Sequence, residues 1–345
     1  MSASEMSDLL SVQLERVLEP LIDGPALAAV ESGDRISGLE AAIGALELEQ
    51  ALVPEDAGGH GLGFSDLCQT FESLGYFAEP SNLGQQIVAQ WLLAKSGLKS
   101  DHAAIPALGR LTLSADGALN GEVLVLWPVS GARLLVEATT ADGGFSLCLL
   151  DGDELRTAQP AKTVARQPTQ RMILQNAAPM QTVEMPAPYL LCAMAVLRSA
   201  YISGALARLL ELCIEHANTR TQFGRPIGKF QAVQQMIAEL AGNAAAASAA
   251  TRLGMNGMDA ESDPRLMAAV AKAQTSELVA RSAAIGHQVH GAIGVTDEHI
   301  LHYFTRRLWQ WREEAGNEHY WSEMLGRTAI EGGTEMVWDV ITKSG

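Results

Sequence analysis

Cysteine is scarce and scattered: Cys68, Cys148, Cys192 and Cys213 form no C-x-x-C pair. A disulfide framework and a zinc ribbon are therefore not expected, and a reducing compartment fits. Positive charge is also in short supply, with 24 Lys and Arg against 40 Asp and Glu and a formal net charge of −16. Such a surface repels polyanionic nucleic acid and acidic bilayers, so neither is an expected partner. Small anionic ligands stay open, because local arginines and helix starts hold them rather than overall charge. The opening MSASEMSDLL lacks the basic start and apolar core of a leader, and no apolar run reaches the length of a membrane span. The expectation is a soluble, cytoplasmic protein. Aromatics make up only 5% of the chain, but 48% of its 345 residues are hydrophobic. That is enough to build two or three packed units.

The texture changes twice along the chain. Residues 1–104 read as helical, with Leu10, Leu14, Val17 and Leu21 on one face and Leu67, Phe71 and Leu74 on another. The glycine-rich stretch ALVPEDAGGHGLGFSD is expected to turn into a helix capped by Ser65 or Asp66. Residues 105–185 hold short runs such as GEVLVLWPV, ARLLVEATT and RMILQN, separated by Pro128, Gly131, Gly143 and Gly152. They predict a small antiparallel β unit. From 186 to 345 the chain is Ala-rich and helical again. YLLCAMAVLRSAYISGALARLLELCIEHANTR is apolar nearly all round, as a helix inside a bundle should be. The run NAAAASAA lets neighbouring helices approach closely, and Ser262-Asp263-Pro264 marks a helix start. The fold class is mainly α with a small β domain.

Three segments carry candidate chemistry. RTQFGRPIGKFQAVQ (220–234) gathers Arg220, Arg225 and Lys229 in a turn before a long helix, with Phe223 able to lie against a flat ring. An arginine fork donates two parallel charge-assisted bonds and suits a pyrophosphate, although composition alone favours solvated cations in an ordinary turn between helices. GHQVHGAIGVTDEHILHYFTRR (286–307) carries Gly291 and Gly294, which permit close backbone approach, and two H-x-x-H pairs. No Cys or Glu-x-x-His completes a ligand set, so hydrogen-bonded or solvated histidines and no metal site are expected. In LWQWREEAGNEHYW (308–321), Glu313 and Glu314 read as the solvated end of a polar helix.

The first of these segments resembles the flavin-binding signature of the acyl-CoA dehydrogenase family, and the second resembles that family's other flavin segment. The resemblance implies an N-terminal helical domain (1–104), a reduced middle β domain (105–185) and a C-terminal four-helix bundle (186–345). It implies FAD contacts, made across a subunit interface, by Arg220, Phe223 and Gln231, with Thr221, Gln222 and Phe230 beside them. Gln288, Gly291 and Gly294 match the second segment, with Ala292 where the family has a further glycine.

The family's catalytic glutamate, counted without gaps, falls on Ala315. The alternative base position on the long bundle helix, within AAAASAATRLGMNG, holds no carboxylate. No catalytic residue is thus expected in this chain, the alternatives being Glu314 or Glu313. The threonine/serine-rich flavin segment and the tryptophan strand of the middle domain are missing too. These departures resemble the shortened subunit of heteromeric, steroid side-chain degrading acyl-CoA dehydrogenases. That likeness implies a longer partner subunit in an α2β2 assembly, an acyl-CoA substrate, and an electron-transfer flavoprotein or similar acceptor. A self-sufficient dehydrogenase and a structural bundle without flavin are the rival readings.

Overall fold

Amphipathic spacing in the first hundred residues produces five helices: α1 (Ala3–Leu18), α2 (Gly24–Glu31), α3 (Leu39–Gly44), α4 (Cys68–Tyr76) and α5 (Leu83–Ser96). The structure, a computed structural model, describes residues 3–152, 158–260 and 262–343. Leu10, Leu14, Phe71 and Leu74 are buried in one continuous core, as their spacing predicts. The expected cap of α4 is not made. Asp66 instead accepts from the backbone N–H of Gly63 at 2.9 Å, closing the preceding turn, and no side chain caps the helix. Asp259, distant in sequence, accepts from the N–H groups of Phe64 and Ser65, so a tertiary contact does what a local cap was expected to do.

The middle of the chain forms a seven-stranded sheet in the order β5-β6-β2-β1-β3-β4-β7. Its strands are β1 (Ala104–Leu113), β2 (Leu119–Leu126), β3 (Arg133–Thr140), β4 (Phe145–Leu150), β5 (Gln159–Pro160), β6 (Thr169–Ala177) and β7 (Gln181–Met185). The antiparallel expectation needs correction, because β1 pairs parallel with β3. The hairpin partner β2 occupies one edge of β1, so β3 must reach the other edge by a crossover and arrives in the same direction. Alternation along β3 sends Leu134, Val136 and Ala138 into a small separate core with Val123, Val125, Cys148 and Met172.

Five further helices complete the chain: α6 (Tyr189–Thr219), α7 (Gln231–Asp259), α8 (Arg265–His290), α9 (Leu301–Glu313) and α10 (Glu318–Lys343). By length and composition α6 could cross a bilayer, which corrects the expectation that no segment is long enough; 89% of its most apolar window is buried inside the protein. It is the central core helix. Gly75 and Gly204 let α4 and α6 cross in contact: a Cβ on Gly75 would lie 2.2 Å from the Tyr201 carbonyl, and one on Gly204 1.8 Å from that of Glu72. At the start of α8, Asp263 accepts from the Arg265 N–H at 3.0 Å, in keeping with the predicted helix start. Glu137 on β3 accepts from the Leu190 N–H at 3.0 Å and so ties the sheet to the first turn of α6.

Candidate functional site

Two concave regions carry the candidate residues, and no residue lines both. The first is a groove of about 730 Å³ between the end of α6, the start of α7 and the turn after α8. Here the chain leaves α6 through a two-strand hairpin, β8 (Thr221–Gln222) and β9 (Arg225–Pro226). Phe223 and Gly224 at its tip both have positive φ, 52° and 76°, the geometry of a tight two-residue hairpin turn. That turn thrusts the Phe223 ring outward, leaving it 93% exposed. Arg225 folds back over the Phe230 ring at 4.4 Å, a cation–π contact that braces the hairpin against α7.

Of the ten residues expected at a flavin site, seven line this groove: Arg220, Gln222, Phe223, Phe230, Gln288, Gly291 and Ala292. Thr221, Gln231 and Gly294 do not. Thr221 pairs with Pro226 in the hairpin, and Gln231 is exposed at the first turn of α7. Gly294 is buried with its back to the bundle, where a Cβ would lie 2.7 Å from a Leu301 methyl. Its missing side chain serves packing. Gly291 differs: at φ 63° it adopts a conformation that favours glycine, and the space a Cβ would occupy is open. Ala292 beside it is exposed.

Arg220 has no carboxylate partner among the described residues. A free guanidinium, an exposed aromatic ring and an open glycine turn in one groove fit the phosphate and flat-ring parts of a flavin dinucleotide.

Two histidines that the sequence reading placed in no ligand role also line the groove. His216 precedes Arg220 by one helical turn, and its ring stacks on that of His290 at 4.5 Å and 25°. The four-residue spacing to Arg220 was the available signal. The expectation of hydrogen-bonded histidines matches His287, which meets Thr305 at 3.0 Å, and His302, which donates to the His299 carbonyl at 2.8 Å. Among the described residues no group of three His, Cys, Asp or Glu is arranged to hold a metal.

The second region is a cleft of about 820 Å³ between β1, β2 and β3, the start of α6 and the α9–α10 turn. Its walls include Leu108, Leu126 and Leu191, with Arg110 and Arg265 among its polar groups. Ala315 lies in it, 7% exposed and left-handed at φ 57°. Glu313 has the solvated side chain expected of a helix end, 55% exposed, and accepts from Asn317 at 3.1 Å.

Glu314 corrects the same expectation: its side chain is only 5% exposed. α9 ends at Glu313, and the extended ψ of 140° at Glu314 turns its carboxylate inward. There Arg198 Nε lies 2.5 Å from Oε2, while the Gln167 and Gln310 amides donate to Oε1 at 2.9 and 3.0 Å. A carboxylate so occupied is poorly placed to take a proton from a substrate. Lys272, buried nearby, donates to the Arg312 carbonyl at 2.7 Å, and burial pulls its amine down to about 7 against the pull of Glu314.

Residues 191–345 match the family profile described as "Acyl-CoA dehydrogenase, C-terminal domain". Acyl-CoA dehydrogenase IpdE2 of Mycobacterium tuberculosis is 32% identical over 297 residues, which cover 82% of this chain and 85% of that protein. Acyl-CoA dehydrogenase IpdE2 of Mycolicibacterium smegmatis is 27% identical, over 74% of this chain and 76% of the relative. Among solved structures, a variant of the Tcur3481–Tcur3483 steroid ACAD has a TM-score of 0.88 at 24% identity, covering 96% of this chain and 99% of that one. The ChsE4–ChsE5 complex from Mycobacterium tuberculosis has a TM-score of 0.85 at 21% identity, covering 97% and 99%. At these identities the two structures establish a shared fold.

Proposed function

The chain belongs to the acyl-CoA dehydrogenase family, whose members are oxidoreductases acting on CH–CH bonds, and on that premise we propose that it is the shortened subunit of a heteromeric, FAD-dependent enzyme. The complex introduces an α,β double bond into an acyl-CoA. A longer family member supplies most of the flavin site and the base that takes the α-proton, and this chain completes the site across the interface. When bound, FAD supplies the hydride acceptor.

Here Arg220 holds the pyrophosphate, Phe223 lies against the flavin side of the neighbouring chain, and the Gly291–Ala292 turn approaches the dinucleotide. Thr221, Gln222, Phe230, Gln231, Gln288 and Gly294 form or support the same surface. The observation that carries the reading is Glu314. The carboxylate next to the family's catalytic position is held by Arg198, Gln167 and Gln310, while Ala315 stands at the position itself. Seven of the ten residues that the family resemblance assigns to flavin contact meanwhile line one groove.

A steroid-derived acyl-CoA, an α2β2 assembly, an electron-transfer flavoprotein as acceptor and a cytoplasmic location belong to the same proposal. The likeness to a steroid ACAD and to the ChsE4–ChsE5 complex supports the steroid substrate and the partner subunit. The test is to purify the chain alone and together with a longer family member and to measure bound flavin. Stoichiometric FAD only in the mixed complex is expected. A homo-oligomer of this chain that holds stoichiometric FAD and dehydrogenates acyl-CoA would overturn the proposal.

A further inference from the structure

We propose that His216 is a second, proton-linked contact for the anionic part of the dinucleotide, taking a proton from solvent as the pyrophosphate settles beside Arg220; this rests on the flavin reading above. His216 and Arg220 lie one turn apart at the end of α6, and both line the groove. The Arg220 N–H donates to the His216 carbonyl at 2.9 Å, which holds the main chain of the two residues in one helical turn.

Behind His216 stand two imidazoles that the backbone holds in defined states. His290 meets the Gly286 carbonyl through Nδ1 at 2.8 Å, so that nitrogen carries the hydrogen. Its Nε2 is buried without a partner. His299 accepts from the Leu301 N–H through Nδ1 at 3.1 Å. Stacked on His290 at 4.5 Å and 25°, and edge-on to His299 at 6.4 Å and 87°, the His216 ring is held in one orientation at the groove.

The charges around this cluster set the direction of the effect. On α6, Arg220 acts on His216; His290 of α8 and His299 of the next segment lie against its ring, and His287 and His302 act on those two imidazoles in turn. Asp297, Arg306 and Glu31 act on His302 from further off. The α7 wall of the groove, Ala232, Val233 and Met236, carries no charge. Burial first and then Arg220 pull His216 below the usual imidazole range, while burial brings His290 down to about 4. His216 is therefore neutral near pH 7 in the free protein. A pyrophosphate bound to Arg220 cancels that cation's repulsion and adds negative charge, so protonation of His216 becomes favourable. Binding then takes up a proton, and affinity rises as the pH falls.

The experiment titrates the assembled complex, stripped of flavin, with FAD and separately with ADP, which carries the pyrophosphate without the ring. A shift of one pKa unit on binding corresponds to about a tenfold change in affinity across the titration. Tightening of up to about tenfold is thus expected between roughly pH 8 and pH 6 for FAD, whose pyrophosphate diester does not titrate there, with a flat profile for His216→Gln. ADP, whose terminal phosphate titrates at about pH 6, should show the same tightening in the ratio of wild-type to His216→Gln affinity. Calorimetry of the wild-type complex in two buffers of different ionisation enthalpy should register proton uptake, a readout that needs no variant. Absence of uptake, or parallel pH profiles for the wild type and His216→Gln, would overturn the proposal. Arg220→Ala separates the two levels: unchanged flavin affinity at every pH would overturn the flavin reading itself.

Discussion

The indole N–H of Trp321 donates to the carbonyl oxygen of Ala315 across 2.9 Å, pinning a left-handed alanine in the turn between α9 and α10. Gly316, also at positive φ, follows, and a Cβ there would lie 2.7 Å from the same indole nitrogen. The turn is built around a buried tryptophan rather than around a reactive carboxylate.

That geometry makes Ala315 a strained position. Replacement by glycine removes the Cβ clash of the left-handed conformation, about 1–2 kcal/mol, and adds chain entropy to the unfolded state. Ala315→Gly should therefore raise stability by roughly 0.5–1 kcal/mol, whereas Trp321→Phe should lower it by about 1 kcal/mol through the lost hydrogen bond. Urea denaturation of the two variants checks the opposite signs.

Glu313 and Glu314 should behave differently although they are neighbours. Glu313→Gln is expected to leave flavin reduction near normal in a single turnover of the assembled complex, because that carboxylate is solvated. Glu314→Gln leaves Arg198 buried without its anion, and breaking such a pair costs on the order of 3 kcal/mol. Its signature is a lowered unfolding midpoint. A hundredfold drop in flavin reduction with flavin still bound, in either variant, would place the base in this chain.

Arg220→Ala should weaken flavin binding roughly ten- to hundredfold, the worth of a charge-assisted contact of about 1.5–3 kcal/mol. Arg220→Lys should recover only part, since an ammonium cannot donate the fork. Equilibrium titration of the stripped complex with FAD distinguishes the three proteins.

Stability should depend on pH in a direction set by burial. Burial pushes the Glu79 and Glu137 carboxyls up from 4.5 to about 7. Between those values the folded chain binds protons that the unfolded chain has released, so stability falls as pH rises from about 4.5 through about 7. His290, lowered from 6.5 to about 4, acts oppositely: stability falls as pH drops through that window. Glu79→Gln should match the wild type near pH 5 and exceed it near pH 8 by an amount on the order of 1–3 kcal/mol. Denaturation curves at the two pH values decide it.

Local order was legible where local physics sets it. The periodicity of Leu10, Leu14, Phe71 and Leu74 gives the buried faces of the first helices. The Leu- and Val-rich run in RLLVEATT gives a strand, and the unbroken apolarity of α6 marks the core helix. The RTQFGRP segment announced a turn and its cations, since Gly224 and Pro226 punctuate it, although the two-strand hairpin came only with the structure. These features depend on residues within a few positions of one another, and those are what a sequence displays.

Contacts between distant segments followed a different logic. Nothing in REEA distinguishes a solvated Glu313 from a buried Glu314. The difference arises because the chain leaves helical geometry between them and Arg198, more than a hundred residues earlier, lies where the second carboxylate arrives. The direction of β3 beside β1, the closing of the 63–66 turn by Asp259 and the stacking of His216 on His290 are of the same kind. Sequence by itself determined which segments are helix, strand and turn, because propensity and periodicity act locally. Which carboxylate is caged, which imidazoles touch and which glycine faces the groove were decided only when burial brought remote side chains into one low-dielectric space, where each polar group must find its partner or change its charge.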